Sequence, residues 1–498
     1  MSKSDSYKKS RSKSVEMQNW FVGLITKPTV ERYLKKEGQY LVRTQEKNGR
    51  LEFVLSVRGK NECAHLTITY EEGVGWAINA KLRKAFHTIV ELIKYYEKNK
   101  VPVGNSGYLR IPFEKPKWFI RHENITYDVE NDLIGTGNFC DVFKGKLFGK
   151  ILVALKICHG PTGENSSPEE KKKIDEAKES LEREACLMSD FKHPNIVKFH
   201  GICCDVPPVC IVLERCTGGS LDAHLLQFAD KISNGERVLY SFGASKGMCY
   251  LQEKHLIHRD LAARNCLISK YGIIKIGDFG LSQLVSDLTG KCSKERLPVR
   301  WMAPETIRKD PKYSTKSDVW SFGVLLYEIF NDGIKPWPDW DVRQCATCIK
   351  QGNMPDMPDK TPSEIVKLVS ECWTVDVEKR CDFIYIANKL SSIHLLYAPP
   401  KLNDLTIAKL KDVKPLTEKD AELKEERSDC EKESLSKKSS ESLASEKSMT
   451  ELVPKYFKKR RRYKKQQESH ESTETSRTTT QDHTSRSQDC SKEVDRNY

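Results

Sequence analysis

The chain has 498 residues, 83 Lys and Arg against 70 Asp and Glu, a formal net charge of +13 and 38% hydrophobic side chains. That length supports two or three domains with sizeable cores. No apolar run approaches the roughly 18 residues that cross a bilayer, the start has no signal-peptide pattern, and the 17 cysteines are scattered without paired metal-ligand spacing. A membrane-spanning segment and a disulfide framework are thus excluded, and the cysteines read as reduced thiols of a cytosolic setting.

Residues 1–17 are rich in Ser and Lys, which predicts disorder. Trp20-Phe21-Val22-Gly23 then leads through an amphipathic stretch to Gln39-Tyr40-Leu41-Val42-Arg43. Alternating strands follow at Glu52 to Val57 and Ala64 to Thr69, then a helix from Ala85 to Tyr96. An arginine after an apolar strand is often a surface charge, but Trp20, Arg43 and His65 together favour phosphate binding. A planar guanidinium grips two oxygens at once, which an ammonium does not. This set resembles a Src-homology-2 (SH2) domain over residues 18–112, a central antiparallel sheet flanked by two helices. The resemblance implies a phosphotyrosine pocket in which Arg43 holds the phosphate, Lys27 adds charge and His65 orients the site. Gln45 stands where a hydroxyl is usual, which leaves Thr44 as the substitute donor. The phosphate loop also reads slightly long, from Thr44 to Leu51, and both departures predict weaker affinity.

A linker of residues 113–124 follows. Ile134-Gly135-Thr136-Gly137-Asn138-Phe139-Cys140-Asp141-Val142 reads as strand, glycine-rich turn, strand. Glycines there let backbone amides approach the phosphates of a nucleotide with no side chain between. Cys140 takes the place of a third glycine, which predicts a modest penalty on nucleotide affinity. Val153-Ala154-Leu155-Lys156 is an apolar strand ending in a lysine, placed to bridge the α- and β-phosphates. Ser167-Pro168-Glu169-Glu170 starts a helix: serine cap, proline in the first turn, glutamate three after the cap. That helix runs toward Phe191 on an apolar stripe of Ile174, Leu181, Ala185 and Met188. Glu184, beside the stripe, is the carboxylate expected to fix Lys156. Glu182 is its rival, and the spacing of nine residues to His193 favours Glu184.

His258-Arg259-Asp260-Leu261-Ala262-Ala263-Arg264-Asn265 is followed by Asp278-Phe279-Gly280. In this layout Asp260 accepts the proton of an attacking hydroxyl, while Asn265 and Asp278 hold magnesium against the transferring phosphate. With the parts before it in order, residues 125–397 resemble a two-lobed protein kinase domain. Ala262 and Arg264, with Leu297-Pro298-Val299-Arg300-Trp301-Met302-Ala303-Pro304-Glu305, resemble the tyrosine kinases. A tyrosine hydroxyl lies further from its backbone than a serine hydroxyl, so the shelf around Pro298 and Trp301 must stand back. The resemblance implies ATP with Mg2+ or Mn2+ as cofactors, with catalysis by Asp260, Arg264, Lys156 and Glu184 and metal binding by Asn265 and Asp278. It also implies a nucleotide site of Ile134, Gly135, Gly137, Val142, Ala154, Lys156, Leu213, Glu214, Cys216 and Leu267, the backbone of Glu214 and Cys216 reading the purine edge. A buried Glu305–Arg380 pair is expected too, although Cys381 replaces the proline usual after that arginine.

An SH2 domain directly ahead of a kinase is similar to the C-terminal half of the Fes/Fer non-receptor tyrosine kinases, over roughly three quarters of the chain. The F-BAR and coiled-coil region of that family is not expected here, and no glycine follows Met1 for N-myristoylation. The fold class is α+β with disordered termini. The chain reads as a cytoplasmic protein tyrosine kinase acting on tyrosine-containing proteins, recruited and activated through phosphotyrosine-bearing proteins; a pseudokinase adaptor is the alternative. The activation segment, Leu281 to Arg296, holds no tyrosine. A phosphotyrosine paired with Arg259 commonly orders that loop. Here ordering is expected from the SH2 domain docking on the helix of Glu184, aided by phosphorylation of Thr289 or Ser293. From 398 to 498 a composition rich in Lys, Glu, Ser and Thr predicts disorder. Its basic run 458–465 has three readings: a solvated charge block, a patch for an anionic membrane surface, and a nuclear-import or nucleic-acid patch. Peripheral membrane contact is carried forward; nucleic acid is not expected, nor a mainly nuclear location.

Overall fold

Two separate runs of alternating residues build two separate sheets. A computed structural model describes residues 14–47, 50–78, 85–103, 107–137, 140–158, 168–285 and 298–442. The first sheet contains β1 (Phe21–Leu24), β2 (Gln39–Lys47), β3 (Arg50–Arg58), β4 (Cys63–Glu71), β5 (Gly75–Ile78) and β6 (Ile111–Pro112) in the order β1-β2-β3-β4-β5, with β6 also on β2. Helices α1 (Lys27–Tyr33) and α2 (Ile89–Lys98) flank it. Strand pleating sends Val42, Leu55 and Val57 into one core with Ile93 and Tyr96 of α2, so Arg43 goes to the other face. Helix α2 starts later than the expected Ala85, because Thr88 caps it by accepting the Glu91 amide at 3.1 Å.

Two expectations for this domain change. Val15, inside the segment expected to be disordered, is buried in the core of this domain, in one cluster with Trp20 and Phe21; residues 1–13 lie outside the described residues. The long phosphate loop is largely strand, since β2 and β3 pair out to Lys47 and Arg50; only residues 48 and 49, outside the described set, separate them.

The second sheet contains β7 (Phe119–Ile120), β8 (Ile125–Thr126), β9 (Leu133–Thr136), β10 (Cys140–Leu147), β11 (Ile151–Cys158), β12 (Phe199–Cys203) and β13 (Cys210–Glu214), in the order β7-β12-β13-β11-β10-β8 with β9 on β10. Helix α3 (Pro168–Met188) crosses it with Leu181, Ala185 and Met188 buried. The proposed cap Ser167 lies outside the described residues. The lower lobe is helical: α4 (Leu221–Phe228), α5 (Asn234–Glu253), α6 (Thr315–Phe330), α7 (Val342–Gln351), α8 (Ser363–Cys372) and α9 (Phe383–Leu396). Small antiparallel pairs join β14 (Leu256–Ile257) to β17 (Gln283–Leu284) and β15 (Cys266–Ile268) to β16 (Ile274–Ile276). Glu305 and Arg380 form the expected buried pair, bidentate at 2.7 and 3.1 Å.

The first domain is joined to the upper lobe by a shared apolar cluster. Val22, Ile25, Val30, Leu34 and Leu41 pack with Leu181, Ala185, Ile202, Cys204 and Ile211. Gly23 (φ +73°) makes the approach: Leu24 N–H donates to Cys204 O at 2.6 Å, and a Cβ on Gly23 would lie 2.1 Å from that oxygen.

The expected disorder from residue 398 does not hold for 398–442. Leu405 and Ile407 are buried in the main core, and α10 (Glu418–Ser442) lies against both lobes. Its docking face is charged, so no apolar periodicity announced it. Residues 443–498, with the basic run 458–465, lie outside the described residues.

Candidate active site and phosphate pocket

The lysine at the end of the apolar strand β11 meets two carboxylates. Lys156 Nζ lies 3.0 and 2.8 Å from the oxygens of Glu184 and 2.8 Å from Asp278 Oδ1. Burial alone would lower the amine, but Glu184 and Asp278 outweigh it and hold Lys156 well above its usual value. The same lysine chiefly pushes Asp278 down to about 2. The rivalry between the two glutamates resolves by helix geometry, since positions two apart point to nearly opposite sides. Glu184 faces Lys156, while Glu182 accepts the Thr26 amide at 3.0 and 3.1 Å and the Thr26 hydroxyl at 2.6 Å. One helix therefore carries both the lysine's partner and the SH2 anchor.

The catalytic string forms a fixed loop. Asn265 Nδ2 donates to the Asp260 carbonyl at 2.7 Å and to Oδ2 at 2.9 Å, and Arg264 pairs with Oδ1. Burial raises the Asp260 carboxyl, and Arg264 and Asn265 partly offset it. The Arg264 guanidinium lies over the Trp301 ring at 4.3 Å, whose indole N–H donates to Glu328 at 3.0 Å. Arg264 thus joins the aspartate to the substrate shelf. Asp318, near the start of α6, accepts the His258 and Arg259 amides at 2.7 and 3.0 Å and clamps the loop. Arg259 (φ +69°) and Asp278 (φ +58°) are left-handed, local strain of the kind that packed active sites maintain. Arg259 is occupied: it lies over Tyr313 at 4.0 Å and donates to Gln283 Oε1 at 3.3 Å. Residues 286–297, including Thr289 and Ser293, lie outside the described residues.

The nucleotide residues fall on two walls. Val142 pairs in register with Gly135 and with Lys156, and Ala154 with Leu213. Ile134 is 52% exposed on the upper wall; Leu267 comes from β15 of the lower lobe. Glu214 closes β13, with Cys216 just after it at the crossing between lobes. Gly137 N–H donates to Cys140 O at 2.8 Å across Asn138 and Phe139, which lie outside the described residues. Cys140 stands 3.1 Å from Cys158 on the neighbouring strand. Asn265 and Asp278 supply hard oxygens suited to Mg2+, and the amide nitrogen of Asn265 is already engaged, leaving its oxygen for a cation. Two protein ligands fit an ion that takes the rest from phosphates and water.

In the SH2 domain Arg43 is 5% exposed. It donates to Gln45 at 3.3 Å and to the Ile25 carbonyl at 3.5 Å, and its buried Nε has no partner. Burial lowers its pKa, with Glu182 opposing. An under-satisfied buried guanidinium fits a phosphate. His65 accepts or donates at 2.9 Å with Ser56, and Glu31 stands 3.4 Å from His65 and 3.8 Å from Lys27. Thr44 does not join them. It is next to Arg43 on an unbroken strand, so its side chain takes the opposite face, buried at 1% exposure. Gln45, two residues on, shares the arginine's face instead.

Comparison with known proteins agrees with this geometry. The family described as protein tyrosine and serine/threonine kinase matches residues 129–390, and the SH2 domain family matches residues 20–96. Tyrosine-protein kinase Fer of Homo sapiens is 34% identical over 393 residues, covering 76% of this chain and 44% of that protein. Fer-related kinase 1 of Caenorhabditis elegans is 32% identical over 391 residues, 76% of this chain and 95% of that protein. The transforming protein Fps of avian sarcoma virus PRCII is 33% identical over 381 residues, 76% and 68% respectively. The chain therefore spans less than half the length of human Fer but nearly all of the nematode relative.

Proposed function

Because the chain belongs to the protein tyrosine and serine/threonine kinases, in the group of Fer and Fps, and carries an SH2 domain, we propose that it transfers the γ-phosphate of ATP to tyrosine hydroxyls of proteins bearing or lying near phosphotyrosine. The observation that carries the reading is the joint placement of Lys156, Glu184, Asp260, Asn265 and Asp278.

Glu184 holds Lys156 against the α- and β-phosphates. Asn265 and Asp278 would hold Mg2+, which would supply charge neutralisation at the transferring phosphate. Asp260 accepts the tyrosyl hydroxyl proton as the oxygen–phosphorus bond forms and the bond from the γ-phosphorus to the β–γ bridging oxygen breaks, ADP leaving with that electron pair; Arg264 keeps the carboxylate aimed and supports the acceptor ring beside Trp301. Arg43 and Lys27 bind the phosphotyrosine of a partner, with His65 setting the pocket. Docking of Thr26 on Glu182 steadies α3 and hence the Lys156–Glu184 pair, so ordering of the site rests on the SH2 domain, and Gln283 holds Arg259 without phosphotyrosine. The protein acts in the cytoplasm, with the basic run 458–465 reaching anionic membrane.

The test is incorporation of phosphate from Mg-ATP into poly(Glu,Tyr) by the purified chain beside Asp260→Asn. Removing a catalytic base costs about 10²- to 10⁴-fold in rate. Equal incorporation by both proteins would contradict the assignment.

A further inference from the structure

Helix α10 lies where the two lobes meet, and its contacts form one stripe. Glu418, Ala421, Glu425, Asp429 and Lys432 are spaced by three or four residues, so they share a face and span about 21 Å. Glu418 pairs with Lys246 of α5 and Glu425 with Lys275 of β16 at 3.1 Å, both in the lower lobe. Asp429 pairs with Lys198 at 2.6 Å, and Lys432 donates to His200 O at 2.9 Å, both in the upper lobe. Ala421 is buried between these contacts.

This stripe reaches the crossing segment. Lys275, 1% exposed, lies 3.0 Å from Glu214 and 3.1 Å from Glu425. The Glu214 amide donates to Lys198 O at 2.8 Å, and Glu214 Oε2 accepts the Lys198 amide at 3.2 Å. The Thr217 hydroxyl donates to Asp412 O at 2.9 Å, so 214–217 is held from both ends by residues after 410. The run is anchored by Leu405 and Ile407 and by the Lys414 and Leu416 amides on Lys270 O and Tyr271 O at 2.8 and 3.1 Å.

We infer that α10 is a positioning element for the nucleotide: Glu425 through Lys275, and Asp429 through Lys198, fix Glu214 and so the backbone that reads the purine. The inference rests on the nucleotide reading of Glu214 and Cys216. Glu425 and Asp429 touch no reacting atom; they set the angle between the lobes and the shape of the crossing segment.

The experiment uses the full chain and a fluorescent ADP analogue, comparing wild type, Asp429→Lys, Lys198→Glu and the double swap. Asp429→Lys is expected to speed analogue release and raise KM for ATP about three- to tenfold, with kcat changed less than about twofold, since lobe opening gates nucleotide exchange. The double swap is expected to recover most of the loss. Hydrogen exchange at residues 210–217 is read in parallel, and faster exchange in Asp429→Lys supports the clamp. Equal release and equal exchange in all four proteins would overturn it. Wild type that binds no analogue would contradict the nucleotide reading, and the exchange comparison would still decide the clamp.

Discussion

Glu184 and Glu182 sit two residues apart and do different work, which makes the residue scale informative. Glu184→Gln removes one of the two charges on Lys156 and leaves Asp278 as its ionic partner. We expect kcat/KM to fall by roughly a hundredfold, the cost of a misplaced positioning group, with the fold unchanged by circular dichroism. Arg43→Lys replaces a planar fork by a point charge; loss of about 1.5–3 kcal/mol of charged hydrogen bonding corresponds to a phosphopeptide Kd weaker by about tenfold or more. Isothermal titration reads it, and an unchanged Kd would remove Arg43 from the pocket. These residues were legible because their chemistry is written in contiguous strings. Thr44 is excluded from the pocket by the two-residue period of its strand, which places it opposite Arg43. The role of Asp318 is not legible from its neighbours, because it depends on amides sixty residues earlier in the chain.

At the scale of elements, strand β1 and the linker join the two domains. Gly23→Ala would put a methyl 2.1 Å from a carbonyl oxygen at a positive φ. Strain of about 1–3 kcal/mol is expected, read as a lower thermal midpoint and faster proteolysis between the domains. The linker is pinned by His122, which meets Asp205 Oδ1 at 2.7 Å and Pro208 O at 2.8 Å. Burial alone would lower this imidazole, but Asp205 outweighs it and pushes it from 6.5 up to about 10. The folded value exceeds the unfolded one, so its stabilisation is complete below pH 6.5 and is lost as pH rises to about 10. The thermal-midpoint gap between wild type and His122→Gln should therefore narrow over that range; a gap independent of pH would contradict the charged pair. The strands and α3 were legible from periodicity. Helix α10 was not, because a docking stripe of Glu, Asp and Lys has the composition of a solvated chain, and the partners of its ion pairs lie 150 or more positions away.

The whole molecule has a kinase fold whose upper lobe is held from two sides. The SH2 domain presses Thr26 on Glu182 of the helix that carries Glu184, and the C-terminal helix ties Lys198 and Lys275 across the back. The sequence predicted the first contact from a missing loop tyrosine, and could not predict the second. The contact of Thr26 with Glu182 implies that phosphotyrosine capture and phosphoryl transfer are coupled through α3. The direct measurement is the initial rate on a short tyrosyl peptide as a phosphotyrosine peptide is titrated into the full chain, beside Arg43→Ala. A saturable several-fold rise is expected in wild type, with a low, flat rate in Arg43→Ala. Rates that are equal and unresponsive in both proteins would contradict it.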